Sequence, residues 1–475
     1  MYNVGIRKER MFLLEKNTNN ENQMSRGLKS RHVQLMALGG TIGTGLFLGA
    51  GQSIHLAGPS IIIAYVIAGV ACFFLMRALG ELLLSNTNSV SFIEFINKYL
   101  GERTGFVAGW TYWFCWIAIA MAEVTAAGLY MKFWFPGLPQ WVTAAFLILI
   151  LFLLNSITVS AFGETEFWFA LIKVVAIVAL IIVGIILVLM HYKTSVGYAQ
   201  VSNLYSHGFF AHGASGFVLS FQMVLFSFAG IEMIGMTASE TQDPQKIIPK
   251  CINEVPTRII IFYVGSLLAL MCIFPWQYIS ANSSPFVQVF SNIGIKSAAA
   301  IINFVVLTAA ASSCNSAIFT TGRMLFSLTD KSQNKFAKKL GTLSKRHIPA
   351  NAILFSTIVI AISVVLNILM PEGVFELVSS IATTCFLFVW SLIVITHYEY
   401  RRSLTPEQTS KLTFKMPWFP YSDFFVVGFM VFVAFVLIFK MQTLVALIGS
   451  IIWLLILYGF KVLSDKHKER KEVDD

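Results

Sequence analysis

Two glycine clusters lie inside apolar stretches long enough to cross a bilayer: Gly39-Gly40-Thr41-Ile42-Gly43-Thr44-Gly45-Leu46-Phe47 and Phe226-Ser227-Phe228-Ala229-Gly230-Ile231-Glu232. Each glycine weakens a helix by about 1 kcal/mol relative to alanine, so both clusters predict backbone that leaves the helical ladder. At membrane depth such backbone is tolerated only where it is buried in protein or lines a cavity. Where a helix stops and restarts, the restarting half presents free N–H groups and the stopping half presents free carbonyls. That combination suits a carboxylate and an ammonium held a short distance apart. Gly43, Thr44 and Gly45 are the expected N–H donors, with the Thr44 hydroxyl beside them, and the carbonyls of Thr41, Phe226 and Ala229 are the expected acceptors. A lone glycine in a spanning helix more often marks a packing face. Two clusters in the first helices of successive five-helix units point instead to a central binding site.

Ionisable residues within spans are the second source of chemistry, because each costs roughly 2.5–3.5 kcal/mol on insertion scales. Lys173 is the deepest, with no carboxylate in its immediate sequence neighbourhood. It can load and release a proton if burial destabilises its charge, or stay charged and tie its span to carbonyls of the first. Glu232 directly follows the second break and can either carry a proton or accept from backbone N–H groups freed there. Glu123, on the third span, can face the pocket and bias selectivity or bond between helices. Arg77 and Glu81 are four residues apart and are expected to pair, as a structural contact or as part of an inner gate that Arg323 could join. Ser312, Ser313 and Asn315 can face the lysine or bond between helices.

The composition sets the class of protein around these groups. The chain of 475 residues is 56% hydrophobic and only 12% charged, against about 25% charged in a soluble domain. Division into apolar runs of about 20 residues predicts about twelve spans, starting near Val33, Ser60, Gly105, Pro139, Glu166, Ser215, Arg258, Ser297, Ala350, Glu372, Ser422 and Thr443. The net charge of +10 follows the loops. Lysine and arginine crowd the segment before the first span and the loops after the second, sixth, eighth, tenth and last, whereas Lys132, Lys193, Lys296 and Lys440 fall in the alternate loops. By the positive-inside rule both termini are cytoplasmic, so the charge reports topology and not a nucleic-acid partner.

The segment before Val33 is polar, so no cleavable signal peptide is expected, and its Asn-rich, charged composition reads as disordered. The expected organisation is a tail over 1–30, a core over 31–400, two further helices over 401–463 and a C-terminal cytoplasmic tail over 464–475. The six cysteines are scattered through or beside spans as packing residues. The eight histidines lie mostly at loops and span ends without ligand spacing. No metal or cofactor motif is present in the pattern. A membrane-embedded enzyme would need clustered ligands or a nucleophile with its base, and a channel would need a continuous polar pore; neither pattern is found.

The motifs Leu28-Lys29-Ser30-Arg31-His32-Val33-Gln34-Leu35, Thr41-Ile42-Gly43-Thr44-Gly45-Leu46-Phe47, Ala57-Gly58-Pro59-Ser60, Met76-Arg77-Ala78-Leu79-Gly80-Glu81-Leu82 and Phe162-Gly163-Glu164-Thr165-Glu166-Phe167-Trp168-Phe169 resemble the bacterial amino acid permeases of the amino acid-polyamine-organocation superfamily. The likeness continues through Ser239-Glu240-Thr241-Gln242-Asp243-Pro244 and Asn303-Phe304-Val305-Val306-Leu307-Thr308 to the last span. The resemblance implies an all-α fold of the leucine-transporter type, with spans 1 to 5 and 6 to 10 as inverted repeats and helices 1 and 6 broken. It implies a substrate carboxylate at the Thr44 segment, its amino group at the Phe226 to Ala229 segment, and an aromatic gate at Phe226. In proton-coupled relatives a lysine at the Lys173 position fills the volume that sodium takes in sodium-coupled cousins.

Gly109-Trp110-Thr111-Tyr112-Trp113-Phe114-Cys115-Trp116 and Ala309-Ala310-Ala311-Ser312-Ser313-Cys314-Asn315-Ser316 look closest to the D-serine/D-alanine/glycine permease branch. Glu123-Val124-Thr125 departs from it, since that branch usually carries aspartate followed by valine, and leans toward the aromatic and proline permeases. The expected substrate is a small neutral α-amino acid, with an aromatic amino acid or proline as the alternative, carried by proton symport or by exchange.

Overall fold

The computed structural model describes residues 42–474 apart from 88, 90, 158, 238–242, 282, 295, 331 and 333. Thr41 and the 239–242 part of the resembling motif therefore lie outside the described residues. Among those described, ten helical stretches are long and apolar enough to cross a membrane. The helices that carry the argument are α1 (Thr44–Phe47), α2 (Gly49–Ala57), α3 (Ile61–Ser85), α4 (Glu102–Met131), α5 (Gln140–Asn155), α6 (Val159–Leu189), α7 (Gly213–Phe226), α8 (Lys296–Thr329), α9 (Val374–Ser403), α10 (Tyr421–Val436) and α11 (Met441–Asp474). A two-residue antiparallel ribbon pairs Lys193 with Tyr198.

Twelve spans are expected, the first from near Val33, which lies outside the described residues, and ten stretches are long enough. The run Gly49–Ser85 counts as one 37-residue stretch, interrupted where Gly58 takes φ +62° and Pro59 and Ser60 form a single tight turn before α3. The left-handed backbone at Gly58 suits glycine, and proline fits the turn because it lacks the N–H that a helix start leaves unpaired. The expected fourth span, α5, is only 16 residues, shorter than the roughly 20 that cross a bilayer upright. Helix α11 runs unbroken to Asp474, through the expected C-terminal tail.

Burial orders these helices around a centre. In α4, 83% of the most apolar window is buried inside the protein, against 28% in Gly163–Leu189 and 22% in Met441–His467. The central α4 packs most extensively on α8 and α9. Its seam with α8 is built from small residues: Gly109 approaches Leu328 and Met324, and buried Ala309, Ala310, Cys314 and Ala317 line α8. Small side chains let helices approach closely where lipid supplies no hydrophobic drive. Helix α6 shows the opposite arrangement, with Glu166, Ala170, Lys173, Ile177 and Leu180 buried on one stripe. Trp168, Val175, Ile182, Ile185 and Leu189 are exposed on the other, as a lipid-facing helix requires.

Candidate functional site

The described part of the first cluster begins with non-helical backbone at Ile42 and Gly43, the second cluster is irregular, and the two touch. Gly43 is extended (φ −120°, ψ −157°) immediately before α1. Its carbonyl accepts from Leu46 and Phe47 N–H at 3.2 Å, so the turn that follows is closed. Helix α7 stops at Phe226, and residues 227–233 continue as tight turns with Gly230 in the left-handed region at φ +93°. A Cβ built on Gly45 would lie 2.7 Å from Ser227 Cα and 3.0 Å from Ser227 N. Only glycine permits the two breaks to meet backbone to backbone.

A small cavity opens at this junction, lined by Gly43, Gly45, Trp116, Ile119, Glu123, Phe226, Ser227, Ala229 and Ser313. Its open volume of about 20 Å³ holds one or two waters. Glu123 Oε1 accepts from the Thr44 N–H at 3.3 Å, and Glu123 and Ser313 both converge on Gly43, 2.6 Å from where its Cβ would be. Phe226 is buried and stands edge-on to Phe375, with ring centroids 6.1 Å apart. The Phe226 carbonyl already accepts from Ala229 N–H at 3.0 Å, so an ammonium would share it through the second lone pair.

Side chains that the sequence did not single out brace the second break. The Ser227 carbonyl accepts from Tyr263 OH at 2.8 Å, and Ser227 Oγ lies 3.0 Å from Tyr65 OH. The Tyr65, Tyr263 and Phe228 rings pack together at 4.9–6.0 Å. Glu232 is fully buried and does not line the cavity; it accepts from Tyr112 OH at 3.1 Å and Trp390 Nε1 at 3.2 Å. Its donors thus come from α4 and α9 and tie the residues after the break to the central helices.

Lys173 is fully buried on α6, also outside the cavity lining. Sequence proximity gave it no carboxylate, but the fold buries Glu166 on the same stripe of α6. Glu166 is two turns earlier on the same buried stripe and accepts from Ser312 Oγ at 2.6 Å. Asn155 donates to Asn315 Oδ1 at 2.8 Å, so α5, α6 and α8 are linked by polar groups beside the lysine. The seven-residue spacing of Glu166 and Lys173 was the available signal.

The expected pairing of Arg77 with Glu81 is not formed. Arg77 donates to Asn253 Oδ1 at 3.0 Å and to the Lys415 carbonyl, and its guanidinium stacks on Phe414. Glu81 instead meets Arg401 at 2.9 Å, His397 Nε2 at 3.2 Å and Met416 N–H at 2.6 Å, while His397 Nδ1 meets Asp423 at 3.0 Å. A buried carboxylate takes the partners that satisfy both of its oxygens, and these come from α9 and the segment after it. Arg323 is buried over the Phe319 ring at 3.2 Å, away from the cavity lining.

Among the described residues, ten helical stretches long and apolar enough to cross a membrane surround a small buried cavity, as in a multi-pass membrane protein. The chain belongs to the amino acid permease family, whose model, described as Amino acid permease, matches residues 32–473. It is 52% identical over 443 residues to an amino-acid permease of Bacillus subtilis, covering 93% of this chain and 95% of that one. It is 45% identical over 441 residues to a D-serine/D-alanine/glycine transporter of Escherichia coli, covering 92% and 93%. A DL-alanine permease of Lactococcus lactis is 44% identical over 450 residues, covering 93% and 96%. The chain is thus a multi-pass membrane transporter and not an enzyme.

Proposed function

We propose that this protein is a secondary active transporter that imports a small neutral α-amino acid, such as D-serine, D-alanine, L-alanine or glycine, by proton symport with alternating access. The observation that carries this reading is the junction of the two breaks. Gly43, Gly45, Phe226 and Ala229 line one cavity there, with the Thr44 N–H held by Glu123 beside it. In this reading the Thr44 segment takes a substrate carboxylate and the carbonyls of Phe226 and Ala229 take its ammonium. Trp116 and Ile119 take up the side of the cavity, which favours a small side chain over an aromatic one. The relatives named for serine, alanine and glycine support the same choice.

In this reading the chain has twelve spans in a 5+5 inverted repeat with both termini cytoplasmic. Phe226 closes over the substrate, Lys173 is the coupling group, and Glu232 is its alternative. Arg77, Glu81 and Arg323 belong to an inner gate, in which Glu81 reaches α9. The test is uptake of a labelled amino acid panel into proteoliposomes, with and without an imposed proton gradient. Accumulation of small neutral amino acids that rises with an alkaline interior is expected. Accumulation restricted to aromatic residues or proline, or indifferent to the gradient, overturns the substrate or the coupling respectively.

A further inference from the structure

The Thr44 N–H, the donor assigned above to a substrate carboxylate, already meets a carboxylate of the protein's own. Glu123 reaches it from α4 with Oε1 at 3.3 Å, in a setting where Glu123 is 3% exposed, Thr44 0% and Ser313 4%. Glu123 Oε2, Thr44 Oγ1 and Ser313 Oγ are buried there without a hydrogen bond of good geometry. Three polar groups therefore surround the contact, in a space of about 20 Å³. Two carboxyl groups cannot both hold one N–H in that volume.

We propose that Glu123 is an internal competitor for the substrate's carboxylate: binding displaces its side chain from the Thr44 N–H, so Glu123 sets the affinity by opposing it. The inference rests on reading the junction as an amino acid site. Glutamate serves this role because its end is flexible, and glycine at 43 leaves it room; a bulkier residue at Gly43 would collide with Glu123 Oε1.

The test uses the purified full chain in lipid nanodiscs, with radiolabelled D-alanine and glycine as probes and propionate and ethylamine as competitors carrying one charged group each. Glu123→Gln keeps the volume and removes the charge; Glu123→Ala removes the side chain. Both variants are expected to bind D-alanine at least about tenfold more tightly than wild type, and propionate competition is expected to strengthen while ethylamine competition does not. Weaker D-alanine binding together with weaker ethylamine competition in both variants would make Glu123 a ligand of the ammonium and overturn the proposal. Unchanged affinities in both variants overturn it as well. A wild type that binds neither probe refutes the underlying reading of the site, and this inference with it.

Discussion

Substitution of Gly45 by alanine should separate the two broken segments. The new Cβ would lie 2.7 Å from Ser227 Cα, 3.0 Å from Ser227 N and 3.1 Å from Ser227 Oγ, whereas carbon atoms in contact prefer about 3.5–4.0 Å. Relief therefore needs a shift of about 1 Å in main chain, not in the tip of a side chain. Ser227 resists that shift through Tyr263 at 2.8 Å, Tyr65 at 3.0 Å and the Met223 carbonyl at 3.0 Å. Overpacking of this kind costs about 1–3 kcal/mol. The same strain moves the donors at Thr44 away from the acceptors at Phe226 and Ala229, so substrate affinity should fall at least about tenfold, which is about 1.4 kcal/mol. Thermal unfolding in detergent and equilibrium binding are measured beside Gly428→Ala, a position with nothing within 4 Å of its Cβ. A Gly45→Ala protein that melts with the control and binds at wild-type affinity would refute the argument that the breaks meet through this glycine.

Lys173→Met, similar in length and unable to ionise, should abolish accumulation driven by an alkaline interior while leaving exchange measurable in the same proteoliposomes; gradient-driven accumulation by this variant, or an absolute sodium requirement in wild type, moves the coupling role to Glu232. Glu81→Gln leaves Arg401 and His397 beside a neutral group in a buried setting; loss of one partner of such a cluster costs about 3–5 kcal/mol, seen as a lower melting temperature. Arg77→Gln should have a smaller effect, because Arg77 is not part of that cluster; equal destabilisation by both would restore a direct Arg77–Glu81 linkage. Tyr263→Phe removes one hydrogen bond to the Ser227 carbonyl and should cost about 1 kcal/mol, with weakened binding as the more sensitive readout.

Local composition made the breaks legible, since glycine clusters in apolar runs have few other uses, and the meeting of Gly43 and Gly45 with Phe226 and Ala229 followed from them. Glu123 was legible as a polar group on an otherwise apolar helix, though nothing in its neighbourhood showed that it would reach the Thr44 N–H, 79 positions away in sequence. The partner of Glu81 was misread for the same reason in reverse. A four-residue spacing places Arg77 within reach, but Arg401 and His397 approach from α9 with better geometry, and sequence separation carries no signal of that. Glu166 was readable and passed over: only its two-turn spacing from Lys173 on one face links them. Tyr65 and Tyr263 look like ordinary span aromatics until Ser227 places a carbonyl between their helices.

The central claim is recognition of an α-amino acid by both of its charged ends at the junction of the two breaks. The most direct measurement is competition for labelled D-alanine by the free amino acid, its methyl ester and its N-acetyl derivative, with the purified protein in nanodiscs. The account predicts strong competition by the free amino acid and poor competition by both blocked forms, since one has lost the carboxylate that Thr44 receives and the other the ammonium that Phe226 and Ala229 receive. Competition by either blocked form as strong as by its parent would contradict it.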